Sequence, residues 1–383
     1  MKKKVLSVIL CAAMASALLA GCGSSGTDTT TETSSTTSEA ASTEAASTEE
    51  ASTEAASTEA ASTETGDADL TTDGTYAIIV KNAGNPYNEK ESSGFVEVIE
   101  AMGGTAIVKE PASATAEDQI AMINELVSQG VDAIAIAAND TDALQPALQA
   151  AMDAGIHVSG LDSATNAASR EVFVNQAGVD IIGQTLMDAV LDISGGEGQW
   201  AILSATSQAT NQNAWIESMK SVMTGADYAG LELVDVVYGD DEYQKSVDQT
   251  TALLQNYPDL KVICAPTTVG IMAAAKVLQD TGSACKLTGL GLPSEMADYI
   301  GTDASKSCPY MFLWNPIDIG RLSAYTSIAL VKGVITGAEG DVFTAGELGT
   351  YTVTLAADGG TEIILGPPFE FNGDNIEEWK TVY

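Results

Sequence analysis

The sequence is short of cations. Its 383 residues hold 16 lysines and arginines against 53 aspartates and glutamates, a formal charge of −37. Phosphate backbones are bound through clustered Lys and Arg, so nucleic-acid binding is excluded as a main activity, as is unaided adsorption to anionic lipid. Histidine is almost absent. His157 is the single one, and no Cys-x-x-Cys pair occurs, which removes the common zinc arrangements. A serine triad would depend wholly on His157, which lies inside an apolar strand run. There is no Walker A sequence, and Gly196-Glu197-Gly198 and Gly289-Leu290-Gly291 lack the third glycine of a dinucleotide fingerprint. Nothing marks a carboxylate pair for glycoside hydrolysis. No catalytic residue, metal or cofactor is therefore expected. Aromatic residues make up only 5% of the chain. Its abundant Ala, Gly and Val suit an α/β protein whose helices sit close on a parallel sheet.

The N-terminus reads as a processing signal. Lys2, Lys3 and Lys4 precede an apolar run from Val5 to Ala20, too short and wrongly flanked for a stable membrane span. The run ends in Leu19-Ala20-Gly21-Cys22, which resembles a bacterial lipobox. Residues 1–21 are then a lipoprotein signal peptide, and Cys22 is the lipidated first residue. Residues 23–75 contain no Lys, Arg, Val, Ile or aromatic residue and repeat Glu-Ala-Ala-Ser-Thr. Such a segment cannot bury enough apolar surface to offset its ordering entropy. With Cys22 it reads as a tether over 22–75, with a flexible-coil span of about 40 Å. The protein is expected outside the cytoplasm, lipid-anchored to the outer face of the cytoplasmic membrane.

From about Tyr76 the pattern changes. Short apolar runs alternate with helical stripes: Tyr76–Val80, then Phe95, Val98, Ile99 and Met102 at helix spacing, then Thr105–Val108. Thr115 and Asp118 form a capping pair ahead of the next stripe. Further strand runs fall at Ala133–Ala138, Ile156–Leu161, Trp200–Ser204, Leu233–Val237, Val262–Ala265, Leu287–Leu290 and Met311–Leu313. About ten alternations imply parallel sheets with right-handed crossovers, and so many strands imply two lobes. Cys264 lies in a strand run and reads as a buried thiol. Cys285 and Cys308 each precede a strand, which leaves open a bridge or two free thiols.

Ligands of open parallel sheets bind beyond the carboxyl ends of the strands. Here those ends carry polar, mostly uncharged groups. They include Lys81, Asn82, Asn85 and Tyr87; Asn139 and Asp140; Asp162 and Ser163; Asn175 and Gln176; Asn211, Gln212, Asn213 and Trp215; Gly239, Asp240 and Asp241; Pro266, Thr267 and Thr268; and Trp314 with Asn315. Carboxylates accept from vicinal hydroxyls, amides donate and accept, and aromatic rings face the C–H side of a sugar. Any one such residue can merely cap a helix, but their recurrence at strand after strand points to a polyol site. Lys81 and Asp162 are expected to face each other across the cleft mouth.

Six stretches carry a family resemblance: Lys81–Tyr87, Asn211–Ile216, Tyr238–Asp241, Pro266–Gly270, Gly289–Met296 and Leu313–Pro316. In this order and spacing, Tyr76–Tyr383 resembles the type 1 periplasmic binding proteins of sugar ABC importers, in the clade that binds rhamnose or autoinducer-2. The resemblance implies an α/β fold of two Rossmann-like lobes with parallel sheets, a three-segment hinge and ligand in the interlobe cleft. It places the crossings near Asn175–Gly178, Asn315–Gly320 and Gly349–Thr352. The first lobe is then 76–177 plus 318–348, and the second is 178–317 plus 349–383. It implies a monomer that captures a small sugar and hands it to ABC permease and ATPase subunits, with no other membrane contact than the lipid. The residues expected at the ligand are Lys81, Asn85, Tyr87, Asp140, Asp162, Asn175, Asn211, Gln212, Trp215, Pro266, Thr268, Trp314 and Asn315. Contacts of the autoinducer-2 branch match Lys81, Asp162, Gln212 and Pro266. Asn211 stands where that branch has Asp, and Thr268 where it has Ala, so a rhamnose-type deoxysugar is favoured. An autoinducer-2 receptor, a sugar sensor without import and a secreted sugar-modifying enzyme are the alternatives.

Overall fold

The computed structural model describes residues 69–383. The expected signal peptide, the expected lipidation site Cys22 and most of the expected tether lie outside the described residues. Residues 69–75 belong to the folded unit rather than to a tether. Leu70 is buried, Thr72 N–H donates to Met102 O at 2.9 Å, and Lys332 Nζ reaches Thr71 O at 2.6 Å.

The first lobe begins with Thr75–Ile79 (β1), Pro86–Ala101 (α1), Thr105–Lys109 (β2), Ala116–Gln129 (α2), Ala133–Ile136 (β3), Gln145–Asp153 (α3), His157–Leu161 (β4) and Val172–Asn175 (β5). The strands are parallel, and both faces of their sheet are covered. Tyr76, Ile78 and Val80 pack into one core, while Ala77 and Ile79 pack into another under α2 and α3. Two-sided burial is why these strands read as unbroken apolar runs. Each fully buried isoleucine contributes about 1.5–3 kcal/mol. The Thr115 hydroxyl accepts from Asp118 N–H, as its spacing predicts.

The second lobe follows: Val179–Ser194 (α4), Gly198–Ser204 (β6), Thr210–Val222 (α5), Leu231–Tyr238 (β7), Tyr243–Asn256 (α6), Leu260–Ala265 (β8), Thr268–Thr281 (α7), Lys286–Gly289 (β9), Pro293–Met296 (α8) and Tyr310–Leu313 (β10). Its four parallel strands run in the order β7-β6-β8-β9, and the Leu290–Phe312 bridge continues them to β10.

The chain then returns. Pro316–Val331 (α9) covers β3, β4 and β5 of the first sheet. It crosses α1 at two glycines: a Cβ on Gly320 would lie 1.9 Å from Glu91 O, and one on Gly94 would lie 2.0 Å from Ile317 O. Val342–Thr344 (β11) and Thr350–Thr352 (β12) pair antiparallel. Thr354–Leu355 (β13) and Thr361–Ile364 (β14) extend the first sheet beside β5, giving seven strands in the order β13-β14-β5-β4-β3-β1-β2. Only then does Phe369–Asn372 (β15) reach β10, followed by Ile376–Trp379 (α10).

This corrects two sequence expectations. Residues 354–364 belong to the first lobe, not the second. The third crossing is therefore Leu365-Gly366-Pro367-Pro368, not Gly349–Thr352. It is clamped to the first crossing, since Leu365 N–H donates to Asn175 O at 2.8 Å and Gly366 N–H to Gln176 O at 3.2 Å. The two prolines have no N–H to place in a ladder, so the strand stops there.

Candidate functional site

The carboxyl ends of the strands from both lobes meet at one cleft of about 380 Å³, including its open mouth. That volume suits a small molecule. From the first lobe come Lys81 after β1, Asn85, Tyr87 and Asn88 at the start of α1, and Asp162 after β4. From the second come Asn211, Gln212 and Trp215 of α5, Asp241 after β7, Pro266, Thr267 and Thr268 around the start of α7, Leu290, Leu313 and Trp314. Asn85 is placed by its own capping bond, accepting from Tyr87 N–H at 3.0 Å.

A continuous polar network joins the lobes. Lys81 Nζ donates to Asn211 Oδ1 at 2.6 Å and to Gln212 Oε1 at 3.1 Å. Asn211 Nδ2 donates to Asp162 Oδ2 at 3.1 Å. Tyr87 Oη donates to Asp162 Oδ1 at 3.1 Å and accepts from Trp314 Nε1 at 2.6 Å. Thr268 Oγ1 donates to Asn85 Oδ1 at 3.3 Å. Lys81 and Asp162 do not face each other across the mouth as the sequence reading expects. Both hang from the first sheet, and the Asn211 amide of the second lobe stands between them, accepting from one and donating to the other. An aspartate at 211 could only accept, and it would meet Asp162 as a like charge.

Beside this polar strip lies an apolar wall. Trp215 and Trp314 pack edge-on at 5.7 Å, and Tyr87 and Trp314 at 6.5 Å. Leu290 and Leu313 complete it. The cleft thus offers both hydrogen-bonding groups and aromatic and aliphatic surface.

Its electrostatics are costly to hold. Burial pushes the Asp162 carboxyl up, opposed by Lys81 and by the bonds from Tyr87 and Asn211. Behind it, Glu91 of α1 is 0% exposed, and neither carboxylate oxygen has a hydrogen-bond partner. Burial first, then the charge of Asp162, hold its carboxyl well above the usual range. The same burial, with Asp162 and Glu91 nearby, keeps the Tyr87 phenol protonated. Backbone strain gathers here as well. Among the described residues, the non-glycine residues with left-handed φ are Asp162 at 55°, Asp240 at 54° and Asp241 at 53°. Each such residue costs on the order of 1 kcal/mol and persists where surrounding structure enforces it.

Comparison with known proteins fits this geometry. The family model described as a periplasmic binding protein domain matches residues 76–334. The chain belongs to the periplasmic binding protein family. A crystal structure of an ABC-transporter solute-binding protein from Clostridium phytofermentas with bound L-rhamnose is 66% identical, with a TM-score of 0.81 over 82% of this chain and 99% of that one. The LsrB protein of Clostridium saccharobutylicum, solved in complex with AI-2, is 23% identical with a TM-score of 0.73 over 80% of this chain and 99% of that one, a likeness of fold. The D-ribose/D-allose-binding protein of Pseudomonas aeruginosa is 28% identical over 182 residues, which are 45% of this chain and 55% of that protein. The chain therefore spans about half the length of that curated relative.

The binding protein's cleft gathers ten of the thirteen expected residues: Lys81, Asn85, Tyr87, Asp162, Asn211, Gln212, Trp215, Pro266, Thr268 and Trp314. Three lie elsewhere, for local reasons. Asp140 Oδ1 accepts from Asp142 and Ala143 N–H and closes the turn before α3. Asn175 Nδ2 binds Glu362 Oε2 at 2.8 Å and holds β14 to β5. Asn315 caps α9, accepting from Ile317 N–H and donating to Asp318. The cleft adds Asn88, Asp241, Thr267, Leu290 and Leu313. Asp241 and Thr267 stand at strand ends already noted for polarity. Glu91 was missed, although it sits four residues before Phe95 on the buried stripe of α1, where a charge is out of place.

Proposed function

We propose that the protein is the solute receptor of an ABC importer and that its cleft takes a neutral, rhamnose-type deoxyhexose. The observation that carries this is the mixed polar and aromatic lining of the cleft. Asp162, Lys81, Asn211 and Gln212 suit the hydroxyl edge of a pyranose, while Trp215, Trp314, Leu290 and Leu313 suit its C–H face and a methyl in place of a terminal hydroxymethyl. The neighbour crystallised with L-rhamnose supports it, being 66% identical over 99% of its length. Hinge motion about the three crossings would let ligand stabilise the closed form, which the permease and its ATPase would read. Lipid on Cys22 and the acidic segment after it would hold the receptor at the outer face of the membrane.

A second reading, autoinducer-2, is favoured by Lys81, Asp162, Gln212 and Pro266 all lining the cleft. Against it, the amide of Asn211 donates to Asp162, a bond an aspartate there could not make. Calorimetric titration with L-rhamnose, related deoxyhexoses and autoinducer-2 in one buffer separates the two. Rhamnose at about 100 times its dissociation constant should raise stability by about 2.7 kcal/mol. Tight autoinducer-2 binding with no heat from any deoxyhexose would replace the first reading by the second.

A further inference from the structure

We propose that Asp241 is a specificity-determining residue: it accepts a hydroxyl proton of the ligand from the second lobe and makes the cleft reject anionic sugars. The proposal rests on the sugar-binding reading above and adds a group to it.

Three independent observations meet at this residue. First, Asp241 lines the cleft from the end of β7, on the opposite lobe from Asp162. Second, its backbone is held left-handed at φ 53° directly after Asp240 at 54°. Two consecutive non-glycine residues in that region are unfavourable, and the turn that keeps them is built from both sides: Asp240 N–H donates to Ala205 O at 3.1 Å, and Lys245 pairs with the Asp240 carboxylate. A glycine would fill this turn without strain, so the side chain is what the strained turn presents. Third, the carboxylate is anchored at one oxygen. Thr267 Oγ1 donates to Asp241 Oδ1 at 2.5 Å, which leaves Oδ2 without a donor among the described residues.

Charge gives the ligand class. The ionisable acids and bases on the cleft wall, tyrosine aside, are Lys81, Asp162 and Asp241. Lys81 is already engaged by Asn211 and Gln212. Burial pushes the Asp241 carboxyl up, with Asp240 adding to it, and the Thr267 bond and the charge of Lys81 oppose the rise. The one cation among two carboxyl groups is thus already paired, and the wall offers no free cation to an anionic ligand. A neutral polyol donates its hydroxyls to such a wall, whereas a uronic acid or sugar phosphate brings a further negative charge into a low-dielectric space.

The test uses the full folded protein with L-rhamnose and galacturonate as probes, and the variants Asp241→Ala, Asp241→Gly and Asp241→Asn. Wild type is expected to bind rhamnose and not galacturonate. Asp241→Ala and Asp241→Gly should bind rhamnose about tenfold to a hundredfold more weakly, and Asp241→Asn less so, because its amide oxygen still accepts. The Gly variant relieves the left-handed backbone, so its ligand-free melting temperature should equal or exceed that of wild type while its affinity falls. Rhamnose affinity within about twofold of wild type in the Gly and Ala variants would overturn the proposal. So would an affinity loss seen only with a lowered melting temperature, or wild type preferring galacturonate to rhamnose. If wild type binds no neutral sugar at all, the parent reading falls, and it is wild type rather than any variant that shows it.

Discussion

The two walls of the cleft come from lobes of the same βα design, yet they supply different chemistry. The first-lobe wall carries Lys81 and Asp162, backed by the unpartnered Glu91. The second-lobe wall carries amides and rings, Asn211, Gln212, Trp215 and Trp314, with Asp241 as its one carboxylate. The meeting point is Asn211, whose amide serves Lys81 with its oxygen and Asp162 with its nitrogen. Charges in a low-dielectric space need partners, and neutral amides provide them without adding a second uncompensated charge. One lobe thus holds a desolvated charged frame, and the other brings the groups that satisfy it and most of the aromatic surface.

That division predicts unequal losses. Removing a first-lobe charge should cost more than removing a second-lobe amide. Asp162→Ala deletes a charge-assisted acceptor and leaves Tyr87 Oη and Asn211 Nδ2 without theirs, so rhamnose binding should weaken by about 1.5–3 kcal/mol. Gln212→Ala removes one neutral acceptor of Lys81, which keeps Asn211, so about 0.5–1.5 kcal/mol is expected. Titration of both variants in one buffer checks the order. Equal losses, or a larger loss for Gln212→Ala, would break the comparison.

The next effect concerns Glu91 and is read in stability against pH. Its carboxyl is held well above the usual range in the folded protein, by burial and then by Asp162. Unfolded, it ionises near the ordinary glutamate value of about 4.3. Between that value and its folded one the native state binds the extra proton, so rising pH lowers stability, by up to about 1.4 kcal/mol per pH unit for this group. Glu91→Gln keeps the neutral shape and removes the titration. The variant should match wild type near pH 4 and gain over it as pH rises toward 7. Melting temperatures across that range decide it. A constant difference would place Glu91 in an ionised, partnered state.

These contrasts also show what the sequence can and cannot reveal. Strands β1, β3, β4, β6 and β8 are legible because parallel strands buried on both faces leave continuous apolar runs, whereas β5, four residues long, is not among the runs. Strands β13 to β15 are not, being short and half wet, with Leu355 61% exposed and Phe369 43%. Their lobe is set by pairing with β5 and β10, far away in sequence, so the third crossing slipped from Leu365–Pro368 to Gly349–Thr352. Polar residues at strand ends are visible, but their targets are not. Asp140, Asn175 and Asn315 are taken up by nearby backbone, Asp318 or Glu362, while Asn211 and Asp162 turn to the cleft and Asn85 caps α1 at its edge. Backbone direction decides between those fates, and a string of letters does not carry it.

The smallest effect sharpens the lobe comparison from another side. All three cysteines of the described residues lie in the second lobe, and all are free, buried thiols. Cys285 and Cys308 stand ahead of β9 and β10, which neighbour each other, so the positions invite a bridge. Each sulfur instead turns to a carbonyl of its own strand region, Cys285 Sγ to Lys286 O at 3.6 Å and Cys308 Sγ to Tyr310 O at 3.4 Å. Burial pushes the Cys285 thiol up to about 12, and raises Cys264 and Cys308 as well. The thiolate is the reactive form, so none should exchange or oxidise readily in the native state, even in an oxidising compartment. Unreduced protein lacking Cys11 and Cys22 should therefore show three thiols after denaturation and almost none before. Reductant should leave its melting temperature unchanged, because no loop is closed by a bridge. A single thiol after denaturation would mean that Cys285 and Cys308 are joined. The β9–β10 edge of the second lobe would then be held covalently, and it rather than the first-lobe frame would be the stiffer wall of the cleft.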